Sequence, residues 1–160
     1  MIERTLVLVK PDGVQRALVG EILKRFENVG LKIVGMKMVH VDKDFAKKHY
    51  AEHVEKPFYP GLESIITMGP VVALVLEGVS AIEVVRKMVG ATEPKSAAPG
   101  TIRGDFTHVS YQYADSEGIG IKNVVHASAD KNDADKEVGL WFSDEELFDY
   151  VNVNDSHTRE

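Results

Sequence analysis

The longest strictly apolar run in the 160-residue sequence is Val71–Leu76, and the other apolar runs are shorter. Runs of this length suit buried strands and fall far short of the roughly 20 residues a membrane-spanning helix needs. Between them lie segments with helical spacing. Thr5–Val9 reads as a buried strand that ends in the turn Lys10-Pro11-Asp12-Gly13. Glu21–Val29 places Ile22, Leu23, Phe26 and Val29 on one helical face, and Gly30 closes it. Leu31–Val41 is strand-like, with an apolar phase that slips at Gly35, the mark of a bulge. Asp44–His53 reads as a polar helix, Pro60–Met68 as a short helix and Val71–Leu76 as a second buried strand. Ser80-x-x-Glu83 predicts a capping box opening a helix to Val89, and Gly90–Gly104 reads as a long loop. Ile121–Val125 is a further apolar strand. Ser143-x-x-Glu146 predicts a last helix to about Tyr150, and residues 152–160 read as a loose polar tail. The order strand, helix, strand, helices, strand, helix, strand predicts an α+β fold: a ferredoxin-like antiparallel sheet (βαββαβ) with helices packed on one face.

Composition narrows the function. Hydrophobic residues make up 44% and charged residues 28%, as in a globular domain. The expectation is one domain over residues 1–151, followed by the tail. The net charge of −6 argues against nucleic acid or an anionic membrane as a partner held by bulk electrostatics. An anionic ligand must instead be met by a few converging cations. The absence of cysteine excludes disulfides, a thiolate zinc site and a Cys nucleophile. Glu3 and Arg4 directly before the first apolar run do not form a signal peptide, so the expected compartment is the cytoplasm.

Three sites are candidates for chemistry. No G-x-x-x-x-G-K-[ST] occurs, and Gly118-Ile119-Gly120 lacks a third glycine, so a phosphate ligand would be bound without a glycine cradle. His49-Tyr50-Ala51-Glu52-His53 matches H-x-x-E-H, an inverted zinc-hydrolase pattern that still needs a third ligand; a solvated polar helix is the plainer alternative. The segment Asn123-Val124-Val125-His126-Ala127-Ser128 places a His just after an apolar strand, next to small residues. Lys10 at a strand end and Arg103 in the glycine-flanked segment Pro99–Asp105 could join it.

Taken together, these segments resemble nucleoside diphosphate kinases, over essentially the whole chain to about Tyr150. The resemblance is carried by Lys10-Pro11-Asp12-Gly13-Val14-Gln15-Arg16, Pro57-Phe58-Tyr59-Pro60-Gly61-Leu62, Gly69–Ala73, Pro99–Phe106, the His126 segment and Glu137–Phe142. It implies a ping-pong transfer of the γ-phosphate of a nucleoside triphosphate, ATP included, to a histidine and then to a nucleoside diphosphate, with Mg²⁺. By that resemblance His126 accepts the phosphate, Glu137 bonds the far ring nitrogen and Ser128 supports the pair. Lys10, Arg86 and Arg103 neutralise the phosphates, with Tyr50 and Thr92 adding hydroxyls. Asn123 and Lys10 hold the ribose 3′-OH, and Phe58 stacks on the base beside Leu62. A homohexamer is implied, with a homotetramer as the alternative. Two further classes stand beside the kinase: a non-catalytic scaffold or nucleotide sensor of the same fold, and the zinc hydrolase.

Two departures from the family pattern stand out. Ala129 occupies the position where the family usually has Asp, and Asp130 follows it. Arg103 and Asn123 are separated by roughly ten residues more than usual, which predicts an insert within Thr107–Lys122. Its polarity predicts a surface hairpin or loop near the nucleotide mouth or a subunit edge. The family's apolar residue over the second face of the base has no assigned counterpart.

Overall fold

The computed structural model describes residues 1–159. Four strands, β1 (Ile2–Val9), β2 (Lys32–His40), β3 (Pro70–Val79) and β4 (Val125–Ala127), form one sheet in the order β2-β3-β1-β4. Every pairing is antiparallel. With its helical crossovers the sheet has the ferredoxin-like α+β arrangement expected.

Helices cover both faces of the sheet rather than one. Val7 and Val9 of β1 pack with Ile22 and Phe26 of α2 (Val19–Asn28) and with Val85 and Val89 of α5 (Ala81–Val89). Leu6 and Leu8 point the other way, into a cluster with Val34, Ile66 and Trp141. That second cluster lies under α3 (Lys43–His49), α4 (Tyr59–Thr67) and α8 (Lys131–Trp141). The two-residue period of a strand sends alternate side chains to opposite faces. Burial on both faces is why Leu6–Val9 of β1 and Val71–Leu76 of β3 are continuous apolar runs instead of alternating ones.

The shift between Ile33 and Gly35 in the β2–β3 register is the predicted bulge. The C-terminal segment crosses there: a Cβ at Gly35 would meet Leu147 Cδ2 at 2.9 Å, and the Phe148 N–H donates to Val34 O at 2.7 Å.

Several expectations are corrected. Ser80 is left-handed (φ 51°) and makes no side-chain cap; Glu3 reaches from β1 to accept the Ile82 N–H instead. The Ser143–Glu146 box forms, but it opens only a 3₁₀ turn over Asp144–Glu146, not a helix to Tyr150. The expected strand Ile121–Val125 is displaced to Val125–Ala127, because Val124 takes a positive φ of 61° that no strand continues through. The polar helix ends at His49, short of His53. The expected loop Gly90–Gly104 contains a 3₁₀ turn at Pro94–Ser96 and the start of α6 (Ile102–Phe106), and a short helix α1 (Pro11–Gln15) occupies the first turn.

The tail is docked rather than loose. Its helix α9 (Asp155–Thr158) sits against β2 and β3, with Lys32 Nζ 3.2 Å from Asp155 and Arg159 Nη1 donating to Glu77 at 2.8 Å. Among the described residues no helix is long and apolar enough to cross a membrane.

Glu77 gives this dock a pH signature. Burial alone would raise its carboxyl pKa, but hydrogen bonds from Arg159 and Arg4 outweigh that and hold it below the usual range. A group with a depressed folded-state pKa stabilises the fold above its unfolded value, near 4.3, and loses that contribution as pH falls toward the folded value. Thermal unfolding across pH should therefore show Glu77→Gln less stable than the parent at pH 7. The gap should narrow progressively as the pH falls below about 4.3.

Candidate functional site

A cavity of about 960 Å³ opens along the edge of the sheet that carries β4. Every nucleotide-site residue that the sequence nominated lines it: Lys10 from the end of β1, Tyr50 just past α3, Phe58 and Leu62 at the start of α4, Arg86 from α5, Thr92 beyond Gly90, Arg103 from α6, Asn123 and His126 from either side of Val124. Glu137 enters from α8, a helix the sequence reading missed; Ser128 stands behind it, outside the lining.

The geometry around His126 fixes its neutral tautomer. His126 Nε2 lies 2.9 and 3.0 Å from the two oxygens of Glu137, and Ser128 Oγ donates to Glu137 Oε2 at 2.5 Å. Burial pushes the Glu137 carboxyl up, but the hydrogen bonds from His126 and Ser128 leave it below its ordinary value, so it is a carboxylate. A carboxylate only accepts, so a proton sits on Nε2, and in the neutral imidazole the lone pair is on Nδ1. Ser128 is itself anchored to β1 through Leu6, by main-chain and hydroxyl bonds.

Lys10 and Arg103 are buried, and with the half-buried Arg86 they line one cavity. Burial lowers the Lys10 pKa to about 8, with Asp12 opposing and Arg103 adding to the shift. Burial and the neighbouring Arg86 lower Arg103 to about 10, and it remains charged at neutral pH. Its guanidinium is also a structural tie: Nη2 donates to Val125 O at 2.7 Å, Nη1 to Gly90 O at 3.1 Å and Nε to Asn123 O at 3.4 Å. Five N–H donors leave two free for a ligand after three are used. Arg86 Nη1 lies 3.5 Å from Ala127 O, and Asn123 Nδ2 donates to Thr92 O at 2.8 Å. Burial raises the Tyr50 hydroxyl well above its ordinary range, so it stays protonated. Phe58 is 52% exposed, an apolar ring left open at the rim.

Three features escaped the sequence reading. Val124 is the centre of a γ-turn, closed by the Val125 N–H donating to Asn123 O at 2.8 Å. A β-branched residue at positive φ costs on the order of 1–3 kcal/mol and persists only where its surroundings hold it. Asp12 does part of that holding, accepting the Val124 N–H at 2.9 Å. His49, read as half of a zinc motif, accepts from Trp141 Nε1 at 3.2 Å and stacks edge-on against His126 at 4.7 Å. Burial, and then His126, lower its pKa to about 3. His53 lies beyond the helix and pairs with Lys56, so the two histidines do not share a helix face. His49, His126 and Glu137 do cluster within 4.8 Å. Two of those three groups are already bonded to each other.

The two family departures also find their places. Asp130 does not replace the missing carboxylate; it caps α8, accepting the Asp133 N–H. The insert contains a helix, α7 (Tyr111–Ser116), not a hairpin, and it forms a wall of the cavity through Tyr111, Ala114, Asp115 and Ile119. It is pinned at both ends. Tyr111 N–H donates to Glu93, and the backbone of Gly120 rests on Gly61, so that a Cβ at Gly120 would collide with the Gly61 carbonyl.

Comparison with known proteins follows the same lines. A model of the family "Nucleoside diphosphate kinase" matches residues 3–147. A nucleoside diphosphate kinase from Pyrococcus abyssi is 58% identical over 153 residues, covering 96% of this chain and 92% of the relative. The solved structure of a Borrelia burgdorferi nucleoside diphosphate kinase, a transition-state mimic with vanadate and ADP, superposes with a TM-score of 0.95. It shares 47% identity and covers 98% of this chain and 96% of its own. A halophilic nucleoside diphosphate kinase from Halobacterium salinarum in complex with CDP superposes at 0.88, with 44% identity and full coverage of both chains.

The glycine contact between the insert and the start of α4 gives a direct test. Gly120→Ala should cost about 1–3 kcal/mol by overpacking, a drop of several degrees in Tm. Gly139→Ala, with open space at its Cβ on a helix, should leave Tm unchanged or slightly raised. Calorimetry of the two variants distinguishes a fitted contact from a general intolerance of alanine.

Proposed function

The chain belongs to the nucleoside diphosphate kinase family and is a nucleotide phosphotransferase, and from that premise we propose that it works by a ping-pong mechanism through phosphohistidine at His126. The observation that carries this reading is the Glu137–His126 pair. It puts the lone pair of the neutral imidazole on Nδ1, in a cavity where Lys10, Arg86 and Arg103 converge. In the first half-reaction His126 Nδ1 attacks the γ-phosphorus of a nucleoside triphosphate. The Nδ1–P bond forms, the bond from phosphorus to the β,γ-bridging oxygen breaks, and the diphosphate leaves. In the second, a terminal oxygen of an incoming diphosphate attacks the phosphohistidine and Nδ1 recovers its lone pair. Such transfers need positioning and charge neutralisation more than covalent help.

In this reading Lys10, Arg86 and Arg103 neutralise phosphate charge, and Tyr50 and Thr92 offer hydroxyls. Asn123 and Lys10 hold the ribose 3′-OH. Phe58 stacks on the base with Leu62 beside it, and Ile119 of the insert supplies the apolar contact on the second face. Stacking accepts any base, which favours broad nucleotide use. Mg²⁺ enters on the nucleotide phosphates. The His49–His126–Glu137 cluster is two imidazoles and one occupied carboxylate, unlike the oxygen cage that Mg²⁺ prefers. The reading takes residues 1–151 as the catalytic domain, the cytoplasm as the compartment, and a homohexamer, or failing that a homotetramer, as the assembly.

Incubation with γ-labelled ATP should place acid-labile, base-stable label on the parent protein and none on His126→Ala, which should still bind nucleotide. A scaffold or a zinc hydrolase predicts no label on either. Glu137→Gln should slow labelling by about 10–100-fold, by analogy with other groups that orient a reactive imidazole. The Lys10 ammonium is present below about pH 8 and lost above it. Diphosphate affinity, measured by calorimetry, should weaken as the pH rises through that value. Lys10→Met should bind weakly throughout, without that inflection.

A further inference from the structure

Val124 is β-branched, fully buried and left-handed, and few groups hold it so. Its N–H donates to Asp12 Oδ2 and its carbonyl accepts from the Lys10 N–H, each at 2.9 Å. Arg103 takes the carbonyls of Asn123 and Val125 on either side. Among the described residues, Asp12 is the one side chain that bonds a backbone atom of Val124 itself, and it comes from a segment 112 residues away. Asp12 is buried in the first turn of α1, between Pro11 and Gly13. A Cβ on Gly13 would meet the Val124 carbonyl oxygen at 2.9 Å, so the segment Lys10–Gly13 fits closely around the turn.

The turn separates two residues of the site. Asn123 precedes it and reaches Thr92; His126 follows two residues on, in the short strand β4. Asp12 is not among the residues that line the cavity. Its hold on Asn123 and His126 passes through the backbone, while its charge also bears on Lys10.

We propose that Asp12 is a positioning residue for phosphoryl transfer: by accepting the Val124 N–H it fixes the turn that sets Asn123 and His126 against Lys10. The inference rests on His126 being the nucleophile. Without the acceptor, Val124 can relax toward negative φ, which rotates the flanking peptides and moves Asn123 and His126 relative to each other. Misplacement of reacting groups by about 1 Å can cost on the order of 100-fold in rate.

The test is the single-turnover rate of phosphoenzyme formation at saturating γ-labelled ATP in the full chain. Asp12→Ala and Asp12→Asn are compared, with thermal unfolding and the ¹⁵N signals of the His126 imidazole recorded alongside. Asn keeps an oxygen able to accept the Val124 N–H. The expected result is a folded Asp12→Ala slowed about 100-fold with shifted imidazole signals, and Asp12→Asn within about tenfold of the parent with signals unmoved. A folded Asp12→Ala labelled at the parent rate, or an Asp12→Asn as slow as Asp12→Ala, overturns the role. If Asp12→Ala does not fold, Asp12→Asn decides: labelling within about tenfold supports the role, and a deeper loss overturns it. Absence of phosphohistidine in the parent protein would instead overturn the assignment of His126 and leave the Asp12–Val124 contact as a matter of folding alone.

Discussion

The three residue pairs that join β4 to β1 hold the site together. β4 is a short edge strand, and pairing Leu8 with His126 brings the imidazole alongside the end of β1, where Lys10 emerges. So short a strand has little holding power alone. It is reinforced from outside the sheet: Arg103 bonds Val125 O, Asp12 bonds Val124 N–H, and Ser128 bonds both Leu6 and Glu137. All of these contacts but Ser128–Glu137 join segments far apart in sequence, so the complete fold is needed before the site exists.

Charge explains much of the rest. The chain is acidic, yet Lys10 and Arg103 are buried beside one another at one edge of the sheet. Their lowered pKa values record the cost of keeping two cations away from water, and a bound polyanion would offset that cost. The anionic Glu137 sits behind His126, and the carboxylate of Asp12 lies behind Lys10. Such an arrangement suits a ligand that brings negative charge.

The fold class was legible because β1 and β3 are apolar runs of strand length separated by amphipathic helices. Gly35 marked the bulge for the same local reason, since its apolar phase slips in the sequence. Where the reading failed, the cause was tertiary. Val124 belongs to an apolar run that says strand, and only its clamps from Asp12 and Lys10 turn it left-handed. The α8 segment has few apolar residues, with Ala134 and Trp141 as its buried positions, so its periodicity is faint. Ser80 has the sequence of a cap, but Glu3 performs the capping from another strand. The nucleotide-site candidates were found through family resemblance, and the cavity assembles them from nearly every part of the chain. Asp12 lies in the Lys10–Arg16 segment that carries the family resemblance, yet its bond to residue 124 has no signal in a single sequence.

The central claim is that Glu137, by holding Nε2, makes Nδ1 of His126 the atom that accepts phosphate. Phosphoenzyme prepared with ¹⁵N-labelled histidine and examined by ¹⁵N–³¹P NMR tests this directly. The account predicts one phosphohistidine, at residue 126, with phosphorus coupled to Nδ1 and Nε2 still protonated. Phosphorus on Nε2, or stable label on any other residue, would contradict it.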